Sequence, residues 1–397
     1  MLELILLNTF CLSILLIIYH HLGYPLLLRK VCSNKQPQKM RIKTAERCYQ
    51  HSELDDTLPS ITIIVPAYNE QQWIAEKIRN MACLDYPRDK LKVIIACDGC
   101  TDDTTQLAQQ TIQEAICAET LFIVHNHPTN RGKVAVINEE IAQSTSDIIA
   151  LSDASALLSY DSLLLAAHHF QDANVGVVNA TYQILSSDNL GETTYWKYQS
   201  QLKYGESIIG SAIGAHGAFY TFRTQLFSPL EPGIINDDFI LPMRIVLKGY
   251  HAVYEPRMLA LELEASNDAT DFKRRLRISA GNMQQLIKLR TLLRPRYRGT
   301  AFTFVSGKVL RLATPYLMLA CLISSLSLSH NTVFAILSGG QVALYLIAVL
   351  SLVVPSLNTI RVFKIISYVL LGHAANLTGG MRYLLGLENK PWTRLNQ

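Results

Sequence analysis

The sequence predicts an α/β protein: a mainly parallel sheet with helices on both faces, flanked by membrane-spanning helices. Three observations carry this reading. β-branched runs alternate with helical patterns between residues 61 and 178, each run ends in polar residues, and the apolar content gathers at the two ends of the chain. At 397 residues, 49% hydrophobic and a mean hydropathy of +0.16, the chain is long enough for one sizeable soluble domain and more apolar than wholly soluble proteins usually are.

Residues 4–28 are almost uncharged and long enough to cross a bilayer, and Arg29, Lys30, Lys35, Lys39, Arg41, Lys43 and Arg47 follow them. A secretory signal would carry its positive charge before the apolar run, whereas the only early charge here is Glu3. The pattern predicts an uncleaved anchor over residues 1–28, its N-terminus outside, and a basic cytoplasmic linker over residues 29–58.

Ile61-Thr-Ile-Ile-Val65 reads as a strand buried on both faces, ended by Pro66-Ala-Tyr-Asn-Glu70 and followed by a helix over residues 71–81. A second strand, residues 91–96, ends in Asp98-Gly-Cys-Thr-Asp-Asp103 before a helix over 104–115. A third, 121–125, leads through Asn130-Arg-Gly-Lys133 into a helix reaching residue 143, and a fourth, Ile148-Ile-Ala-Leu151, ends in Ser152-Asp-Ala-Ser155. Units at this spacing build a parallel sheet with right-handed crossovers, and ligands bind at the carboxyl ends of its strands. Asn69, Glu70, Asp98, Lys133 and Asp153 would converge there. Asp153 is costly at the mouth of a buried strand; it either meets a cation and a phosphorylated ligand, caps the helix beginning near Tyr160, or closes a turn. No Gly-x-Gly-x-x-Gly or P-loop motif is present, so an anionic ligand would need Lys133, with a metal on Asp153, for its positive charge.

After residue 178 the alternation lapses. A helical stretch with Tyr195, Trp196, Tyr198 and Tyr204 precedes Gly214-Ala-His-Gly-Ala-Phe-Tyr-Thr-Phe-Arg223, whose small residues either admit a ligand close to the backbone or turn the chain into an edge strand. Asn236-Asp-Asp238 opens a helix running to Lys248; its two aspartates either cap it, or one points into the crevice as a base. The helical pattern holding Lys273-Arg-Arg-Leu-Arg277 either faces solvent and lipid headgroups or lends Arg274 or Arg277 to a diphosphate. Two spans near residues 309–328 and 333–354 form a hairpin, and residues 365–387, which hold His373, Asn376 and Arg382, read as a third span or an interfacial helix. The expected division is thus a domain over 59–265, a basic interfacial region over 266–300 and a membrane region over 301–397. The net charge of +4 comes largely from juxtamembrane residues, which suit anionic headgroups better than nucleic acid. The eight cysteines suggest no disulfide framework, and Cys97-Asp-Gly-Cys100 has redox-like spacing without the helix-opening context that such motifs use.

Six of these motifs, in this order over residues 60 to 290, resemble the family 2 glycosyltransferases, the membrane-embedded inverting enzymes of the cellulose, chitin, hyaluronan and poly-N-acetylglucosamine synthase type. Pro66-Ala-Tyr-Asn-Glu70 is similar to their opening motif, Asp98-Gly-Cys-Thr-Asp to Asp-Gly-Ser-Thr-Asp, Asn130-Arg-Gly-Lys133 to Asn-x-Gly-Lys, Asp153-Ala-Ser155 to the Asp-x-Asp metal motif, Gly214 to Arg223 to the acceptor-side segment, and Asn236-Asp-Asp238 to Thr-Glu-Asp. The resemblance implies a GT-A fold, with Glu70 and Asp98 on the nucleotide, Pro66 and Tyr68 in the same donor-binding loop, and Lys133 on the diphosphate. Asp153 would hold Mg²⁺ or Mn²⁺ and Asp238 would act as general base, while Asp237, Gly217, Arg274 and Arg277 would flank the acceptor or the diphosphate. Two departures stand out: Ser155 replaces the second aspartate, and Arg274-Arg-Leu-Arg-Ile278 lacks the glutamine and tryptophan of Gln-x-x-Arg-Trp. The implied function is transfer of a sugar from a nucleotide-sugar donor to a glycan or lipid-linked acceptor at the cytoplasmic face of the inner membrane, by a multi-pass protein acting alone, as a homo-oligomer or in a biosynthetic complex. A processive polysaccharide synthase and a catalytically inactive sugar-nucleotide-binding subunit are the alternatives; no nucleic-acid partner is expected.

Overall fold

The computed structural model describes residues 1–34, 53–185, 190–264, 268–354, 356–357 and 360–387. The expected basic linker falls mostly outside them. In chain order come α1 (Leu2–Ile18), α2 (Tyr24–Asn34), β1 (Ile61–Ala67), α3 (Ile74–Ala82), β2 (Leu91–Asp98), α4 (Thr104–Thr111), β3 (Leu121–His127), α5 (Lys133–Gln143) and β4 (Ile148–Leu151). β5 (Ala156–Leu158), α6 (Ser162–His169), β6 (Val175–Ile184), α7 (Leu190–Ile209), β7 (Tyr220–Arg223), α8 (Asp237–Leu247) and β8 (His251–Glu262) follow. The chain ends in α9 (Asp268–Lys288), α10 (Arg298–Thr303), α11 (Leu310–Ser327), α12 (Thr332–Val353) and α13 (Arg361–Leu384). Two compact units result.

The α/β unit, residues 28–267 and 289–301, holds one eight-stranded sheet in the order β3-β2-β1-β4-β7-β6-β8-β5. β3, β2, β1 and β4 are parallel, β7 is antiparallel to both β4 and β6, β8 is parallel to β6, and β5 is antiparallel to β8. The chain builds outward from β1 to β3 and then returns to the other side of β1, so the switch point where such sheets bind ligands lies between β1 and β4. Ile61, Ile63, Val65, Val93 and Ile95 pack with α3, α4 and α6 on one face. Ile64, Ile94 and Ile149 point the other way, towards the face that buries Val136 and Ile137 of α5 and Ile240 of α8. Burial on both faces is why these strands read as unbroken apolar runs. Truncating one of them, as in Ile63→Ala, should cost about 2–5 kcal/mol.

Three expectations change. The glycine-rich segment leads into β7, which is flanked by β4 and β6 and is no edge strand. The helix near Tyr160 starts at Ser162 with Asp161 at its N-cap, so Asp153 does not cap it. β8 has no counterpart in the sequence reading, because His251, Glu255, Pro256 and Arg257 interrupt its alternation.

The helical unit comprises residues 1–27, 268–288 and 302–388. α1 packs along α11, α9 along α13, and α12 against α11 and α13. Gly379 permits the α9–α13 approach: a Cβ there would lie 2.5 Å from the Leu276 carbonyl oxygen. Among the described residues three helices are long and apolar enough to cross a membrane, Leu2–Ser33, Pro295–Ser327 and Thr332–Val353. α13, with Lys364, His373, Asn376 and Arg382, is not one of them.

Candidate functional site

The loops after the first four strands are laced together. Asn69, at φ +56°, accepts the Thr101 amide on Oδ1 at 2.9 Å and donates from Nδ2 to Thr101 Oγ1 at 3.1 Å. Glu70 donates its amide to Thr104 Oγ1 at 2.7 Å. These contacts fasten the Pro66–Glu70 segment, with half-buried Tyr68, to the loop after β2. Gly99, at φ +66°, brings that loop against the next one; a Cβ at this position would lie 2.3 Å from the Asn130 nitrogen. Asp98, 1% exposed, accepts the amides of Arg131 at 3.0 Å and Gly132 at 2.8 Å. Its carboxylate is thus occupied with shaping the loop that delivers Lys133.

Lys133 is the first residue of α5. Its Nζ donates to Asp153 Oδ1 at 2.8 Å and lies 3.7 Å from Asp237 Oδ2. Asp237 and Asp238 open α8, where a helix N-terminus favours negative charge. The Gly217 amide donates to Asp238 Oδ2 at 3.1 Å, and a Cβ on Gly217 would come within 2.8 Å of Asp153 Oδ2. A side chain at position 217 would therefore push the Asp153 carboxylate aside. Burial works against the Lys133 charge, but the carboxylates of Asp153 and Asp237 more than offset it and hold its ammonium above the usual lysine range. Burial likewise opposes ionisation of Asp153, and Lys133 overcomes it, so this carboxyl titrates below its ordinary value. Asp238 goes the other way: burial and then the Asp237 charge push its pKa up to about 6. One cation, one firmly ionised carboxylate and one basic carboxylate stand side by side.

The sequence reading singled out Lys133, Asp153, Gly217, Asp237 and Asp238, and all five meet here. Pro66, Tyr68, Glu70 and Asp98 line the adjoining loops. Arg274 and Arg277 are carried on α9 in the helical unit. Three neighbours were missed. Tyr220, on β7, is 1% exposed, and its hydroxyl has no hydrogen-bond partner among the described residues; burial, with Asp237 and Asp238, raises its phenol well above the ordinary value. His216 stacks on Tyr182 at 3.9 Å between ring centroids, and Trp196 stands edge-on to both at 5.1 and 4.5 Å. The Gly214–Arg223 motif contains two of these residues, but no local pattern marks which of its side chains face the carboxylates.

Among the described residues no three His, Cys, Asp or Glu side chains gather to hold a metal. Asp153, 36% exposed in its side chain, suits a cation of the Mg²⁺ type, which takes one or two carboxylates and completes its shell with phosphate oxygens and water. The residues present fit such an ion only in company with a phosphorylated ligand.

Residues 59–281 match the family described as Glycosyltransferase like family 2. The chain is 25% identical over 241 residues to the poly-beta-1,6-N-acetyl-D-glucosamine synthase of Staphylococcus aureus, covering 59% of this chain and 57% of that protein. It is 24% identical over 242 residues to the probable glycosyltransferase YdaM of Bacillus subtilis, covering 58% and 57%. The chain therefore spans 57% of the length of these curated relatives. The mannosyltransferase PcManGT of Pyrobaculum calidifontis, solved with GDP-Man and Mn²⁺, superposes with a TM-score of 0.68 at 21% identity, over 95% of this chain and 99% of that one.

Proposed function

The chain belongs to the family 2 glycosyltransferases and has their GT-A fold, and from that premise we propose that it moves a sugar from a nucleotide-sugar donor to a hydroxyl of a glycan or lipid-linked acceptor, with inversion. The observation that carries the proposal is Lys133 set between Asp153 and Asp237, with Asp238 beside them. The Pro66–Glu70 loop receives the nucleotide. Lys133 pairs with the donor diphosphate as it leaves the anomeric carbon, taking the electrons of the broken C–O bond with it. Mg²⁺ or Mn²⁺ on Asp153 would add positive charge for the same leaving group. Asp238 accepts the proton of the acceptor hydroxyl as its oxygen bonds to the anomeric carbon from the opposite face, and a pKa near 6 suits a base at neutral pH. A single displacement needs one carboxylate base and no covalent intermediate.

The catalytic residues fall in the region read from sequence as 59–265, between an anchor over 1–28 and membrane helices after 301. The basic residues that follow the first apolar run support a cytoplasmic face for this site in a multi-pass inner-membrane protein. A processive synthase is the second reading, favoured by the match to a poly-N-acetylglucosamine synthase; Ile278, in the place of a tryptophan that processive members use around the acceptor, favours one or a few additions. The test is release of nucleoside diphosphate from a panel of sugar nucleotides by purified protein with Mn²⁺, with product length read on a gel. Asp238→Asn should lower the rate about 10²–10⁴-fold. Release from none of the donors would refute the proposal, and a ladder of long products would select the processive reading.

A further inference from the structure

Lys77 lies on α3, wholly buried, and among the described residues no carboxylate reaches it within ion-pair distance. Its Nζ instead donates to Ser152 Oγ at 2.6 Å and to the Ala156 carbonyl oxygen at 2.5 Å. These two acceptors bracket Asp153, so one ammonium closes the base of the turn that carries it. Ser152 Oγ passes the contact on by donating to the Ala218 carbonyl oxygen at 2.7 Å. Ala218 adjoins Gly217, whose amide holds Asp238 and whose missing side chain leaves room for Asp153 Oδ2. A chain of short contacts thus runs from α3 to Asp153 and Asp238.

We propose that Lys77 is a positioning residue for glycosyl transfer, clamping the 152–156 turn against Gly217–Ala218 so that Asp153 and Asp238 keep the spacing the reaction needs. The inference rests on the transfer reading above. A purely stabilising role would show only as lost stability, from the two buried acceptors left without their donor. Small displacements at a reacting centre, in contrast, are expensive in rate: about 1 Å can cost about a hundredfold.

The experiment uses the full chain in detergent and follows nucleoside diphosphate release from the donor it turns over best. Lys77→Met and Ser152→Ala should each lower kcat about 10–100-fold, with the donor KM within about threefold and the protein still folded at the assay temperature, its stability lower by no more than unpaired buried acceptors cost. The double variant should be no slower than the slower single, since both break one chain of contacts. Wild-type kcat in Lys77→Met, a raised KM at unchanged kcat, or a rate loss matched by loss of folded protein would each overturn the inference. Should Lys77→Met not fold, Ser152→Ala decides, and wild-type kcat there overturns it equally. Asp238→Asn serves as the reference: if it is slowed about 10²–10⁴-fold while wild type turns over, the transfer reading stands and only the role of Lys77 is at stake. A wild type that releases nothing from any donor sinks both.

Discussion

Lys133 Nζ donates to Asp153 Oδ1 at 2.8 Å, joining the first turn of α5 to the turn after β4 across the switch point of the sheet. With Asp237 also in reach, the lysine neutralises a cluster that would otherwise be strongly repulsive. Lys133→Met should therefore lower kcat/KM by about 10²–10³-fold, the usual cost of losing a preorganised electrostatic contact. Its melting temperature should also fall more at pH 8 than at pH 5, where the carboxylates are closer to protonation. Steady-state kinetics and melts at the two pH values check both.

Asp238 sets the pH dependence. A base titrating near 6 must be ionised to work, so kcat/KM should rise from pH 5 and level off above about pH 7. Stability runs the opposite way. The carboxyl binds its proton more tightly when folded than when unfolded, so the folded state loses stability as pH rises from about 4 to about 6 and stays lower beyond. Asp238→Asn should thus melt higher than wild type at pH 8 and alike at pH 3.5, while its rate at pH 8 stays about 10²–10⁴-fold below that of wild type. Equal midpoints at pH 8 would contradict this.

Two glycines should fail in different ways. Gly99→Ala forces a Cβ to 2.3 Å from backbone nitrogen in a left-handed conformation, and no flexible side chain can give way. Stability should drop by more than about 1–3 kcal/mol, read by denaturant unfolding. Gly217→Ala instead displaces Asp153 Oδ2, so the fold should persist while kcat drops at least tenfold.

Asp98→Ala should strip the Arg131 and Gly132 amides of their acceptor, at about 1–3 kcal/mol. Because this loop delivers Lys133, the donor KM should rise as well. A nucleoside diphosphate titration by calorimetry measures it, and unchanged affinity would show that the loop holds its shape without the carboxylate.

Restoring an aspartate at position 155 should not improve cation use. Ser155 accepts the Leu263 amide on its backbone carbonyl, next to the buried carboxyl of Glu262, so a carboxylate at this position would meet another. Ser155→Asp should leave the Mn²⁺ concentration for half-maximal activity unchanged or raise it, and should lower the melting temperature. Chelation of divalent cations should abolish wild-type turnover, with recovery on adding Mn²⁺.

Residue order alone determined the alternation of strands and helices from Ile61 to Leu151, the polar loops after the strands that lead to Lys133 and Asp153, and the paired apolar helices α11 and α12. These follow from periodicity and turn chemistry, which act over a few residues. Only tertiary structure decided that β7 runs between β4 and β6, that the Asp98 carboxylate faces loop amides, and that Lys77 is buried behind Asp153. Lys133 meets Asp237 from 104 positions away. Such a pairing is set by strand order and register across the sheet, and the free energy that fixes it comes from burying both faces of the strands, which no local pattern records.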